Sequence, residues 1–149
     1  VLDELLFEGL NSVFFKKMRV EMPLVYGYGS TVNCFSNCGN YVMIFNAQQK
    51  DIKTIKKVFK KTMLDLAKTE FSKVEIESIK KRILDHWEIS FDDLEERVEF
   101  IAGNEIYELN EYSLQSVKSK IKNVNANSLK KLINNLNNNS SSSLVLIPK

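Results

Sequence analysis

Histidine occurs once, at His86, and cysteine and proline twice each in 149 residues. A zinc site takes three or four ligands from His, Cys, Asp and Glu. Cys34 and Cys38, with His86 far along the chain, do not supply such a set, so no metal is expected on this chain. Disulfide scaffolds of this size carry more cysteines. The pair therefore reads as free, partly buried thiols of a reducing compartment such as the cytoplasm. No apolar run approaches the ~20 residues that a bilayer-spanning helix needs, so no membrane span is expected. Neither charge sign is in excess: 21 Lys and Arg against 19 Asp and Glu leave +2, which gives no reason to expect nucleic acid or an anionic membrane as partner.

What is present is ordinary for one α+β domain spanning residues 1–149: 44% hydrophobic and 27% charged residues, in a chain long enough to bury a core. The sequence opens at Val1 inside a helical pattern, without the charged n-region of a signal peptide, and reads as a piece of something longer. Leu2, Leu5, Leu6, Leu10, Val13, Phe14 and Met18 recur at three- and four-residue steps and predict a helix over 2–18. Pro23 ends it. Val25–Phe35 and Asn40–Asn46 are rich in Tyr, Val, Thr, Ile and Phe, and Ser36-Asn37-Cys38-Gly39 between them has turn chemistry, which predicts an antiparallel hairpin.

Helices are expected over 51–68, with Ile52, Ile55, Val58, Phe59, Met63 and Leu66 as the apolar stripe, and from Ser72 to about Glu88, where Ser72 and Glu75 have capping-box spacing. A further helix is expected over 91–107 on Leu94, Val98, Ile101, Ala102 and Ile106, and two shorter ones over 113–121 and 126–136. The Asn- and Ser-rich tract 134–143 reads as a loop, and Leu144-Val145-Leu146-Ile147 as a buried closing strand. Together these predict a two-layer α+β sandwich: a small, mostly antiparallel sheet covered by helices on one face. Three strands make a thin sheet, so one more is expected ahead of Val1, from missing sequence or another chain.

Charged clusters carry no chemistry of their own. Lys53, Lys56, Lys57, Lys60 and Lys61 lie opposite the apolar stripe of their helix, as a solvated face does. Asp92, Asp93, Glu95, Glu96 and Glu99 sit beside Arg97 at helical spacing and read the same way. His86, without partner ligands, has no assigned role.

One stretch is more specific. Met18-Arg19 at a helix end, followed by Leu24-Val25-Tyr26 entering a strand, resembles the C-terminal domain motif of the insulinase, pitrilysin and mitochondrial processing peptidase family of zinc peptidases. Arg19 and Tyr26 stand seven residues apart, as in that family. Phe71-Ser72-Lys73-Val74-Glu75-Ile76 is similar to the family's Phe-Thr-x-x-Glu-Leu helix start, and Ile121 to Ala126 to its late Ile-x-x-Val-Thr segment. Pro23 and Val20 depart from the family pattern, which usually has Gly and an acid there. The family's His-x-x-Glu-His zinc helix is absent.

The resemblance implies the two-layer fold of the processing peptidases and the role of a domain that holds substrate for zinc carried elsewhere. On that reading Arg19 grips a substrate backbone carbonyl, and Tyr26 hydrogen-bonds near the oxyanion of an attacked peptide. The implied partners are a zinc-bearing homologous domain or subunit and an unfolded peptide. The alternative is a non-catalytic homologue serving as a scaffold. Taken alone, Arg19 could also be an exposed helix-end arginine on the last carbonyls, and Tyr26 and Tyr28 sheet aromatics on one face of their strand.

Overall fold

The structure is a computed structural model describing residues 1–107 and 113–147. It is an α+β fold with the layers expected. Strands β1 (Val25–Cys34) and β2 (Gly39–Ala47) form an antiparallel hairpin. Opposite partners share a face, so Tyr28, paired with Phe45, and Ser30, paired with Met43, face the helices. Thr31, Val42 and Ile44 face the other way, and both Val42 and Ile44 are exposed there. At the hairpin tip Cys34 and Cys38 are free, as expected, but exposed and not partly buried. A four-residue tip offers too little cover to bury them.

The predicted helix over 2–18 is broken. Helix α1 (Leu2–Leu6) ends before Gly9, whose φ of 78° is the left-handed backbone that glycine adopts without strain, and α2 resumes at Val13–Phe15. In one continuous helix Phe7 and Phe14 would be ~10 Å apart along the axis. The reversal brings their rings to 5.0 Å and leaves Leu10 in solvent. Aromatic contact outweighs the periodicity here. Phe14, fully buried, also meets Phe45 at 5.6 Å and Phe59 at 5.4 Å.

Helix α3 (Ile52–Lys68) lies on this aromatic layer and packs through Met63 and Leu66 against Leu129 and Ile133 of α7 (Ala126–Asn138). Asn137 Nδ2 donates to Met63 O at 2.9 Å across that contact. Helix α4 (Lys73–Ser90) starts where Ser72 accepts from the Glu75 amide at 3.1 Å. Its buried Lys80 is satisfied by Glu77 and by the Lys122 carbonyl of α6 (Leu114–Asn123), at 2.9 Å each. Helix α5 (Leu94–Ile106) begins three residues later than predicted, because Asp93 caps it through the Glu95 and Glu96 amides.

Two expectations fail. Leu144–Ile147 is exposed and pairs with no described strand, so the sheet has two strands among the described residues. Apolar character alone does not make a strand: the backbone must also pair with a strand edge, and this segment pairs with neither edge of the hairpin. The stripe Leu94, Val98, Ile101 and Ile106 of α5 points into solvent, because Phe100, on another side of that helix, is held against Trp87 and Phe91 with ring separations of 5.6 and 5.1 Å. Among the described residues no helix is long and apolar enough to cross a membrane.

Candidate functional site

Arg19 and Tyr26 come together at the junction of the first helical layer with β1, and two backbone irregularities put them there. Residues Lys16–Glu21 wind as a π-helical turn, in which the Met22 amide reaches the Lys17 carbonyl at 3.2 Å. Single π turns concentrate at functional positions. Met18 stays fully buried while its neighbour Arg19 stands in solvent. Pro23 cannot donate to a continuing helix and holds Met22 extended, at φ −130° and ψ 95°. The Leu24 amide then closes on the Met18 carbonyl at 2.9 Å and turns the chain into the strand.

The strand's register slips at once. Val25 pairs with Ala47 and Gly27 with Asn46, which makes Tyr26 the extra residue of a β-bulge. A bulge re-aims side chains. Val25 is buried, Tyr26 is 70% exposed, and Tyr28 returns to the covered face against Phe7 and Phe15, at 6.1 and 6.3 Å. The expected shared face of Tyr26 and Tyr28 is therefore corrected: residues two apart share a face only in an unbroken strand. Gly27 lets Asn46 lie close beside the bulge, since a β-carbon there would stand 2.9 Å from Asn46 Nδ2.

Arg19 Nη1 donates to the Tyr26 main-chain oxygen. A guanidinium has five N–H donors, so this bond leaves others directed at solvent. The Tyr26 hydroxyl has no hydrogen-bond partner among the described residues. Lys17 and Glu21 form an exposed ion pair at 2.7 Å on the same turn. The result is a guanidinium and a phenol, both accessible, fastened to each other through backbone. Such a pair can donate to carbonyl or carboxylate oxygens; it contains no general base or nucleophile.

Asp3 is a polar residue that the sequence did not single out. Its Oδ1 accepts from Tyr41 Oη at 2.6 Å and from Ser30 Oγ, fastening α1 to both strands. Burial, reinforced by the bond to Asp3, pushes the Tyr41 phenol above its ordinary range. The cluster ties the first helix to the sheet, with all three side chains half-buried. His86 is exposed, with no role. No three His, Cys, Asp or Glu side chains gather as a metal-ligand group among the described residues.

A sequence profile described as the peptidase M16 inactive domain matches residues 1–83, which include the π turn, the bulge and the hairpin. The chain belongs to the M16 peptidase family. It is an inactive domain of that zinc-protease family, as its motifs led one to expect. Solved structures share the fold of this M16 domain. A conserved protein from Enterococcus faecalis V583 superposes with a TM-score of 0.75 at 14% identity, over 89% of this chain and 31% of its own. A protease from Helicobacter pylori gives 0.73 at 15% identity, over 90% and 32%. A proposed zinc protease from Bordetella pertussis Tohama I gives 0.69 at 15%, over 89% and 73%. The M16 domain thus spans about a third of the length of the first two. No curated protein matches its sequence significantly.

Proposed function

We propose that this M16 domain holds an unfolded peptide for a zinc-bearing domain or subunit that supplies the metal and the base. The observation that carries the reading is the exposed Arg19–Tyr26 pair, built by two backbone irregularities on one junction. Arg19 spends one donor on the Tyr26 carbonyl, which orients the guanidinium, and its remaining donors bind a main-chain carbonyl of the substrate. The Tyr26 hydroxyl donates to the oxygen of the scissile carbonyl, where charge develops as water attacks. Zinc held elsewhere would supply the Lewis acid and the activated water.

A scaffold role is the second reading, and the same Arg19–Tyr26 bond favours it, because an arginine fastening a turn to a strand has a structural use. Peptidase turnover and zinc content of the full-length protein, or of the complex with the zinc-bearing subunit, decide between them. Arg19→Ala and Tyr26→Phe are expected to keep zinc and assembly and to lose turnover. Unchanged turnover in both variants rejects the substrate-holding role and leaves the scaffold.

A further inference from the structure

Asn46 faces a glycine. In the hairpin register it stands opposite Gly27, the residue after Tyr26, at a position of the outward face that Val42 and Ile44 also share. A second asparagine pair lies on that face, Asn33 opposite Asn40, and there the two carboxamides satisfy each other, Asn33 Nδ2 donating to Asn40 Oδ1 at 2.8 Å. Asn46 has no such neighbour. Its side chain is exposed, and its carboxamide bonds to no described residue.

Space, not backbone conformation, accounts for the glycine. Among the described residues only Gly9 has a positive φ, so the backbone at Gly27 is one that alanine also adopts. A β-carbon there would stand 2.9 Å from Asn46 Nδ2 and 3.5 Å from Asn46 Cβ, which means that the asparagine lies across the glycine. Arg19 meets the chain one residue earlier, at the Tyr26 main-chain oxygen. Guanidinium and carboxamide thus rest on neighbouring residues of β1. Residues 22–49 contain no Asp, Glu, Lys, Arg or His, so the hairpin has no charge with which to select a ligand side chain. A carboxamide offers both a donor group and an acceptor, which matches the N–H and C=O that every non-proline residue of a peptide carries.

We propose that Asn46 is a third substrate-binding residue beside Arg19 and Tyr26, and that its carboxamide hydrogen-bonds the main chain of the unfolded peptide, with Gly27 giving it room. The proposal rests on the substrate-holding role and adds that recognition here is of backbone, whatever the side chains.

Steady-state cleavage of an unfolded, fluorescein-labelled casein by the full-length protein, or by its complex with the zinc-bearing subunit, tests it. One or two neutral hydrogen bonds correspond to roughly ten-fold in affinity, so Asn46→Ala is expected to raise KM about ten-fold with kcat unchanged, the pattern of lost uniform binding. Asn40→Ala, on the same face near the hairpin tip, is expected to change neither constant. Gly27→Ala should raise KM by displacing the carboxamide, and should add nothing in the Asn46→Ala background, because both substitutions remove one contact. Asn46→Asp, which keeps the shape and loses the donors, repeats the measurement should Asn46→Ala fail to fold. A KM within two-fold of wild type in the Asn46 variant, or additive effects of the Gly27 and Asn46 substitutions, overturns the proposal. If Arg19→Ala and Tyr26→Phe lose turnover in the same assay, the failure is confined to Asn46; if they too are unchanged, the substrate-holding role falls with it.

Discussion

Replacing Tyr26 by Phe removes one oxygen and leaves the ring. With the side chain 70% exposed, the fold covers about 30% of it. A fully buried tyrosine hides ~200 Å², so ~60 Å² are covered, and at ~25 cal/mol per Å² even loss of the whole ring would cost only ~1.5 kcal/mol. The hydroxyl itself bonds to no described residue, so Tyr26→Phe should change stability by under ~0.5 kcal/mol. If the phenol stabilises developing charge, the same substitution should lower turnover by roughly 10²–10³-fold, the range for losing one oxyanion donor. Urea unfolding of the domain and peptidase assay of the complete enzyme read the two effects separately. A variant that loses more than ~2 kcal/mol, or one that keeps full turnover, refutes the reasoning: the first because Tyr26 would then be a packing residue, the second because its hydroxyl would do nothing in the reaction.

Gly9→Ala should destabilise the domain by ~1–2 kcal/mol in urea unfolding, because φ is 78° and no atom stands within 4 Å of the added carbon, so the cost is backbone strain alone; an unchanged midpoint would show that the reversal tolerates other geometry. Phe14→Ala should cost ~3–5 kcal/mol, since the ring is fully buried among Phe7, Phe45 and Phe59, and a loss under 1 kcal/mol would mean that the core collapses around the gap. For Tyr41 the folded state holds the phenol's pKa above its ordinary value of 10.0. The unfolded chain therefore releases this proton first, so the stabilisation is complete below about pH 10 and is lost as pH rises further. Unfolding measured from pH 8 to 11 should show a decline that is shallower in Tyr41→Phe; equal slopes would remove Tyr41 as its source.

Local chemistry was legible wherever one segment decided its own structure. Turn residues Ser36 to Gly39 delivered the hairpin, Ser72 began α4 where its spacing from Glu75 placed it, and the stripe of Ile55, Met63 and Leu66 faces the core as its period requires. Failures arose where distant partners decided. Periodicity over 2–18 could not register the tilted ring contact of Phe7 with Phe14, which one continuous helix would not allow. In α5 the apolar stripe lost to Phe100, which joins Trp87 and Phe91. Leu144–Ile147 has a strand's composition, yet no described strand edge receives it.

The Arg19–Tyr26 pair shows what spacing in a sequence does and does not encode. They stand seven positions apart, and regular structure would use the residues between them differently. An α-helical continuation would advance ~100° per residue, so the extra residue of the π turn changes the direction in which Arg19 leaves the helix. An unbroken strand would put Tyr26 on the same side as Tyr28, under the helices, and the extra residue of the bulge turns it out. Each irregularity interrupts a regular hydrogen-bond ladder, and the Arg19 bond to the Tyr26 carbonyl ties the two together across the Pro23 reversal. A fold selected for stability alone would gain from removing both. The proposed binding role gives both a use, because together they leave the Arg19 guanidinium and the Tyr26 phenol in solvent at one junction.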